Sequence, residues 1–416
     1  MRRIFIIAIV TSLIALDSHF IGHIAFGSDQ SESAALKSAI EAKTKELTQI
    51  NDKIVETQKN LNTISTQGKT LSKEIQKIDL NINQLSLGIR SSEIRIDRLG
   101  LEINDLSASV EDKEASIASK RKAIESFLRQ LQASADENEL LQFLKSKSLV
   151  EGVFDTYSVS KVSEELHTEI GSLEVIKAAL AADLSTKAQK KTAVESERTT
   201  LKAKLSISEE QKDGKKTLLS STKNQEKVYQ AQLQELEKKQ KDIGEAIDAI
   251  EAELRAKFDP SLLPVKRPGV IAYPTSDAIL TQEYGLTLFA KTAYKSQFHN
   301  GLDFGAPLGT PILASRDGKV IAAGNNGKYQ YGKYVLLEHD NGLSTLYGHM
   351  SKHAVLAGQT VTKGQVIGYV GNTGYSFGNH VHFGLYWSDS VILKNLPSCN
   401  CGLVPIGVTI NPSDYL

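Results

Sequence analysis

A seven-residue apolar repeat in the first third constrains this 416-residue chain more than any other feature. In steps of seven from Leu47 it reads Leu47, Ile54, Leu61, Gly68, Ile75, Ile82, Ile89, Ile96, Ile103, Val110, Ile117, Ile124 and Leu131. Three residues beyond these positions lie Ile50, Ile64, Leu71, Ile78, Leu85, Leu99, Leu106 and Phe127. This 3-4 alternation puts one apolar seam along a helix and demands a partner helix, wound left-handed, to bury it. At 1.5 Å per residue the run makes a rod of roughly 130 Å. Gly68, Ser92, Lys113 and Lys120 interrupt the seam, and Gly68, Gly88 and Gly100 each cost a helix about 1 kcal/mol relative to alanine. The first helix is therefore expected to be flexible in places.

The repeat breaks between about 136 and 161, where Leu140, Leu141, Phe143, Leu144, Leu149, Val150, Val153 and Phe154 crowd together as in a cap or bend. A looser repeat resumes through Leu166, Leu173, Leu180, Val194 and Leu201 and continues to Leu254. The expected coiled coil over 28–258 is thus a helix over about 31–135, a bend over about 136–161 and a helix over about 162–258. Two such helices fold back as an antiparallel hairpin or pair with another chain, and the sequence leaves both open. It equally allows a plain spacer, a partner-binding element or a self-restraining one.

All nine prolines lie at or after Pro260, and 20 of the 29 glycines at or after Gly269, so the chain changes character there. The proline-spaced stretch 259–274 cannot continue a helix and reads as a linker. Beyond it, 275–416 alternates β-branched and glycine-punctuated segments, GKVIAAG, GKYVLLEH, LSTLYGH, GQVIGYVG and HVHFGLYW. Asn341-Gly342 between two of them predicts a hairpin with a type I′ turn. The fold class expected is multidomain, a long α-helical coiled coil followed by an antiparallel all-β domain.

At the N-terminus, Arg2 and Arg3 precede the apolar run Ile4 to Leu16, with small residues at Ala25 and Gly27. This pattern predicts export through a signal peptide over 1–27, the other reading being an uncleaved anchor. The destination is the periplasm, or the wall or medium of a cell without an outer membrane. With 49 basic and 49 acidic side chains, no net charge draws the chain to nucleic acid or an anionic membrane. Cys399 and Cys401 could form a local disulfide or remain two thiols, and no role is assigned to them.

Six of the nine histidines fall between 299 and 382. His299 and Asp303 flank the turn-prone Asn300-Gly301 in HNGLD. His349 ends a strand in LYGHM, and His380 and His382 alternate in HVHF. Two residues apart on a strand, His380 and His382 face the same side, so one can bind a metal while its neighbour acts on water. Three of the five could hold zinc and two could move protons beside it, as in a metallohydrolase that keeps a fourth metal position open.

HNGLDFGAPLGTPILASRDGKVIAAG, YGKYVLLEHDNGLSTLYGHMS and GQTVTKGQVIGYVGNTGYSFGNHVHFGLYW resemble the lysostaphin/LytM-type zinc metallopeptidase domain, whose members cleave peptide crosslinks of bacterial cell walls. The resemblance covers about 297–387. It implies one zinc ion held by His299, Asp303 and His382, with His349 and His380 orienting or deprotonating water and stabilising the oxyanion. His339 and His353 match no functional position and read as structural. Asn379 stands where the family commonly has proline, and Gly384 where an acidic residue is frequent. With the helical region in front, the chain also resembles the EnvC group of murein hydrolases and activators.

The function expected is an exported zinc metallo-endopeptidase acting on peptidoglycan crosslinks, in cell-wall remodelling or daughter-cell separation. The alternative is a non-catalytic activator of murein amidases. An amidase or division-complex partner for the helices, and self-association, are compatible with either. Part of the helical region is expected to lie over the groove near His349 and His380 until a partner moves it.

Overall fold

The structure is a computed structural model that describes residues 29–416 apart from 67–68, 136–148, 256–257, 260, 262, 277–278, 294–296 and 397–398. The expected signal segment and the first half of the expected bend lie outside the described residues.

Four long helices precede the sheet domain among the described residues: α1 Asp29–Thr66, α2 Leu71–Ala135, α3 Leu149–Thr222 and α4 Glu226–Arg255. None is long and apolar enough to cross a membrane. The pairs Lys120–Glu169, Lys113–Asp183, Glu102–Lys190 and Asp79–Lys215 run in opposite senses along α2 and α3. These two helices therefore form an antiparallel hairpin within one chain. Lys43–Asp97, Glu46–Arg90 and Gln58–Gln84 show α1 antiparallel to α2 as well. The ion pairs, all at least partly exposed, stabilise little; the seams are closed by apolar residues such as Leu47, Ile50, Leu61, Leu71, Leu85, Ile94, Val110 and Ile117, all buried.

The helix boundaries differ from those read in the sequence. The stretch 31–135 is two antiparallel helices, one ending at Thr66 and the next beginning at Leu71. The heptad hides this reversal, since Leu61 and Leu71 remain in phase across it. Thr70 caps the new helix by accepting from the Lys73 N–H, and the otherwise unpaired Leu71 N–H donates to Glu226 of α4. The described part of the bend, from Leu149, is already α3. Lys223 and Asn224 adopt left-handed backbone, φ 49° and 54°, and end α3 before α4 begins.

The C-terminal strands are β1 Ile279–Gln282, β2 Gly301–Gly305, β3 Pro311–Leu313, β4 Gly318–Asn325, β5 Lys333–Glu338, β6 Leu343–Met350, β7 Lys352–His353, β8 Thr360–Val361, β9 Val366–Tyr369, β10 His380–Trp387, β11 Ile392–Asn395, β12 Leu403–Ile406 and β13 Thr409–Ile410. A short helix, α5 Leu288–Ala293, connects β1 to β2. The main sheet has the antiparallel order β1-β2-β10-β6-β5-β4-β8, with β13 on β10. The β5–β6 hairpin forms at Asp340-Asn341-Gly342, but only Gly342 has positive φ, 76°. A type I′ turn would need it at both central residues, so this is a longer loop closed by a left-handed glycine.

Alternation along β10 divides the sheet into two faces. Val381, Phe383 and Leu385 enter one core with Tyr347, Leu302 and Phe304, under β3 and β9. His380, His382, Gly384 and Tyr386 face the other side. There Tyr386 joins Tyr331, Tyr334, Leu336, Leu346, Val404 and Ile406 in a second cluster, which Ile243 and Ile247 of α4 complete. Helix α4 therefore packs on the sheet face that carries the histidines. Segment 259–274 is bound along the domain: Ile271 is buried and its N–H donates to the Tyr415 carbonyl, while Tyr415 Oη donates to the Pro264 carbonyl. Cys399 and Cys401 are joined as a disulfide.

Candidate metal centre

Asp303 of β2 and His382 of β10 are register partners, so their side chains rise from adjacent strands on one face. His299 precedes β2 and is pinned by paired backbone bonds with Gly285. These elements bring three atoms to one point. His299 Nε2 is 3.1 Å from Asp303 Oδ1 and 3.1 Å from His382 Nδ1, and His382 Nδ1 is 3.0 Å from Asp303 Oδ1. All three residues are buried.

The hydrogen positions this triangle allows decide what it can hold. His299 Nδ1 lies 2.8 Å from the Glu283 carbonyl, which can only accept, so Nδ1 carries the proton and Nε2 presents a lone pair. That lone pair faces a carboxylate oxygen and a second imidazole nitrogen, out of reach of bulk water. A buried cluster of acceptors is favourable only around a cation or shared protons. Tetrahedral zinc with bonds of about 2.0–2.1 Å has ligand–ligand edges of about 3.3 Å, close to the separations found. His299, Asp303 and His382 thus fit a zinc ion, with two imidazoles and one carboxylate as donors. Although burial alone would raise it, the Asp303 carboxyl is held well below its usual range by charge on His380 and by bonds with His299 and His382. Burial, outweighing Asp303, keeps His382 below the ordinary histidine value.

His380 stands beside this group, its Nε2 3.6 Å from Asp303 Oδ1 and its Nδ1 2.9 Å from the Gly378 carbonyl. His349 arrives by a less regular route. Tyr347 points into the core beneath the sheet, and simple alternation would send His349 the same way. Left-handed backbone at His349, φ 57°, turns it to the opposite face, where its ring centroid is 4.7 Å from that of His380. Such a conformation costs a non-glycine residue about 1–3 kcal/mol and persists only where surroundings fix it. Here the His349 N–H donates to the Tyr331 carbonyl at 2.7 Å, and Nδ1 lies 2.8 Å from the Thr373 carbonyl. Burial, reinforced by charge on His380 and His382, holds His349 well below the ordinary histidine range.

All five residues singled out in the sequence therefore meet in one site. His339 lies elsewhere, bonded to the Asp317 carbonyl and Thr345, and His353 lies on β7. Sequence reasoning missed the supports Thr373 and Tyr331, and it read Asn300-Gly301 as a turn where Gly301 begins β2 and a Cβ there would stand 2.6 Å from the Phe383 carbonyl oxygen and 2.7 Å from His382 Cε1. Only the Gly in HNGLD carried a signal of close approach.

The helical region closes on the same site. Asn81 of α2 accepts from Asn379, the neighbour of His380, and Gln84 accepts from the Leu308 N–H. Leu85, Ala203 and Ile207 pack on Leu308 and Tyr369, and Lys69 sits over the Phe377 ring. The side chains of His299, Asp303, His380 and His382 are left 3%, 9%, 15% and 5% exposed.

Residues 297–393 match the model of Peptidase family M23. Over 87 residues, 21% of this chain, it is 45% identical to DD-carboxypeptidase/endopeptidase Mpg of Neisseria meningitidis serogroup B and 46% identical to peptidoglycan DD-endopeptidase ShyA of Vibrio cholerae serotype O1, covering 20% of each. Over 85 residues it is 41% identical to glycyl-glycine endopeptidase ALE-1 of Staphylococcus capitis, covering 20% of this chain and 24% of that protein. The match thus spans about a fifth of the length of the first curated relatives. Together with the site geometry, it makes the C-terminal unit of this chain a peptidase M23 domain of the LytM/lysostaphin type.

Proposed function

We propose that this protein is an exported zinc metallo-endopeptidase that hydrolyses peptide crosslinks of bacterial peptidoglycan during wall remodelling or daughter-cell separation. The observation that carries this reading is the buried triangle of His299 Nε2, Asp303 Oδ1 and His382 Nδ1 beside two further imidazoles. The relatives are named for endopeptidase activity, two on DD bonds and one on glycyl-glycine bonds, so the crosslink itself is not fixed by them.

Zinc held by His299, Asp303 and His382 would supply a Lewis acid that polarises the scissile carbonyl and brings the pKa of water towards about 7. The remaining chemistry belongs to His349 and His380. Each has Nδ1 against a backbone carbonyl, Thr373 and Gly378 respectively, so Nε2 is the atom that can take or give a proton. With Nε2 unprotonated, one of the pair accepts a proton from the attacking water. With Nε2 protonated, its neighbour donates to the oxyanion of the tetrahedral intermediate, and the proton passes on to the leaving amine. Burial keeps His349 neutral, which suits it to the accepting role.

One observation favours a second reading, an amidase activator of the EnvC kind. Helix α4 and the contacts of α2 cover the histidine face, a surface that a partner could expose and occupy. The complete donor set makes hydrolysis the first reading. Incubating the purified protein, and a fragment starting near 264, with peptidoglycan, while quantifying bound zinc, tests it. Released peptides with about one zinc per chain, lost in His380→Ala, are expected. Stoichiometric zinc without cleavage would transfer support to the activator.

A further inference from the structure

Tyr331 lies outside the motifs that define the site, yet it touches the supports of three site residues. Its backbone carbonyl accepts from the His349 N–H at 2.7 Å, the bond that fixes the left-handed turn. Its ring stands 5.5 Å from the His382 ring at 32°. Its hydroxyl accepts from Asn300 Nδ2 at 2.9 Å, and Asn300 immediately follows His299. The same hydroxyl pairs with Tyr386 Oη at 2.9 Å, and Tyr331 itself is only 5% exposed.

Each contact restrains a different freedom. The Asn300 bond fixes the peptide between His299 and the close approach at Gly301. The flat ring limits tilting of the His382 imidazole about its Nδ1 contacts, since its Nε2 is buried without a hydrogen-bond partner. The carbonyl decides on which side of the sheet His349 lies. None of these contacts is made to Nε2 of His299, Nδ1 of His382 or Oδ1 of Asp303, the atoms that face one another.

We propose that Tyr331 is the positioning residue of this centre, holding two metal-binding arms and the proton-carrying His349 in mutual register from beneath. The inference rests on the proposed metal-binding role of His299, Asp303 and His382. It assigns to Tyr331 and Asn300 the task that partners behind a metal's ligands perform elsewhere, where their loss weakens metal binding or activity about 10–100-fold.

The test titrates the metal-free full-length protein with cobalt(II), whose visible absorption reports both affinity and geometry of a tetrahedral site. Tyr331→Phe removes only the hydroxyl and is expected to weaken cobalt binding by about tenfold with a changed spectrum. Tyr386→Phe deletes the other half of the same buried pair without touching a site residue, and is expected to stay within about twofold of the parent. Asn300→Ser, from a half-buried position, is expected to match Tyr331→Phe, and the double variant to be no weaker than either single one. Equal losses in Tyr331→Phe and Tyr386→Phe would reduce the effect to a missing hydrogen bond and overturn the proposal, as would parent-like binding in Tyr331→Phe and Asn300→Ser. A parent protein that binds cobalt yet cleaves no peptidoglycan would defeat the peptidase reading while leaving this one measurable.

Discussion

His382 and Asp303 sit directly opposite each other on β10 and β2, and their side chains meet with Nδ1 3.0 Å from Oδ1. The sheet register therefore sets the metal geometry before any loop contributes. Asp303→Asn keeps the shape but replaces an anionic oxygen by a neutral amide, so zinc content is expected to fall below about a tenth and hydrolysis with it. Chelation of the parent should also lower its melting temperature, reversibly on adding zinc, because an ion bound only by the native state stabilises it. Metal analysis and thermal unfolding check both, and an Asp303→Asn protein with full zinc would remove Asp303 from the ligand set.

Gly301 lets β2 and β10 come together beneath His382. A methyl there meets the Phe383 carbonyl oxygen at 2.6 Å and the imidazole at 2.7 Å, and neither can give way without shifting a strand or a ligand. Gly301→Ala is expected to destabilise the domain by about 1–3 kcal/mol and to lower zinc affinity together with stability. Gly327→Ala, where nothing lies within 4 Å but φ is positive, is the comparison. It should lose stability alone.

The site was legible in the sequence because its chemistry is written in rare residues at strand spacing. His380 and His382 share a face by the period of two, whereas Asn300-Gly301, read as a turn, is extended backbone entering β2, and Asp303 reaches them through the register of β2 with β10. His349 was legible as a residue, though its orientation was not, since the left-handed backbone that turns it out of the core leaves no trace in LYGHM. The all-β domain followed from glycine, proline and alternation. The helix boundaries failed where the heptad phase runs unbroken through a reversal, with Leu61 and Leu71 in step on either side of it. Tyr331 was invisible because its work depends on a carbonyl and on contacts with Asn300, His382 and Tyr386, all distant in sequence. The docking of α4 was equally hidden: Ile243 and Ile247 lie in a stretch read as coiled coil and instead join the cluster on the histidine face of the sheet that holds Tyr331 and Tyr386.

Lys204 of α3 is half-buried where α2, α3 and the loop at Gly309 meet, donating to Ser92 Oγ at 2.9 Å and to the Gly88 carbonyl at 3.2 Å. Burial, only partly offset by Glu197, lowers its pKa to about 8. The unfolded chain titrates near 10.5, so between about 8 and 10.5 it holds a proton that the native state lacks, and stability rises with pH there. Below about 8 both states are charged and the folded protein bears the whole penalty, roughly 3 kcal/mol at most. Lys204→Met is therefore expected to stabilise the protein by about 1–3 kcal/mol at pH 7, with the advantage shrinking towards pH 10. Denaturant unfolding of both proteins at the two pH values checks the sign. An advantage that grows with pH would contradict it.

Helix α4 and the α2 contacts stand between solvent and the histidine face, and the two are held differently. Asn81 and Gln84 contribute polar bonds at the edge, each worth about 1 kcal/mol, whereas Ile243 and Ile247 bury apolar surface on the sheet itself. Ile243 is fully buried, and placing a carboxylate there costs several kcal/mol unless the helix leaves the sheet. Full-length Ile243→Asp is expected to hydrolyse peptidoglycan at least several-fold faster than the parent and to become more sensitive to proteolysis between α4 and β1. Asn81→Ala with Gln84→Ala should give a smaller increase, since only the edge contact is loosened. Rates equal to the parent in both variants would sink the idea that the helices restrain the enzyme. A lower rate in Ile243→Asp with normal zinc content would instead mean that α4 supports the floor around Tyr331, and that release, if it happens, begins at α2.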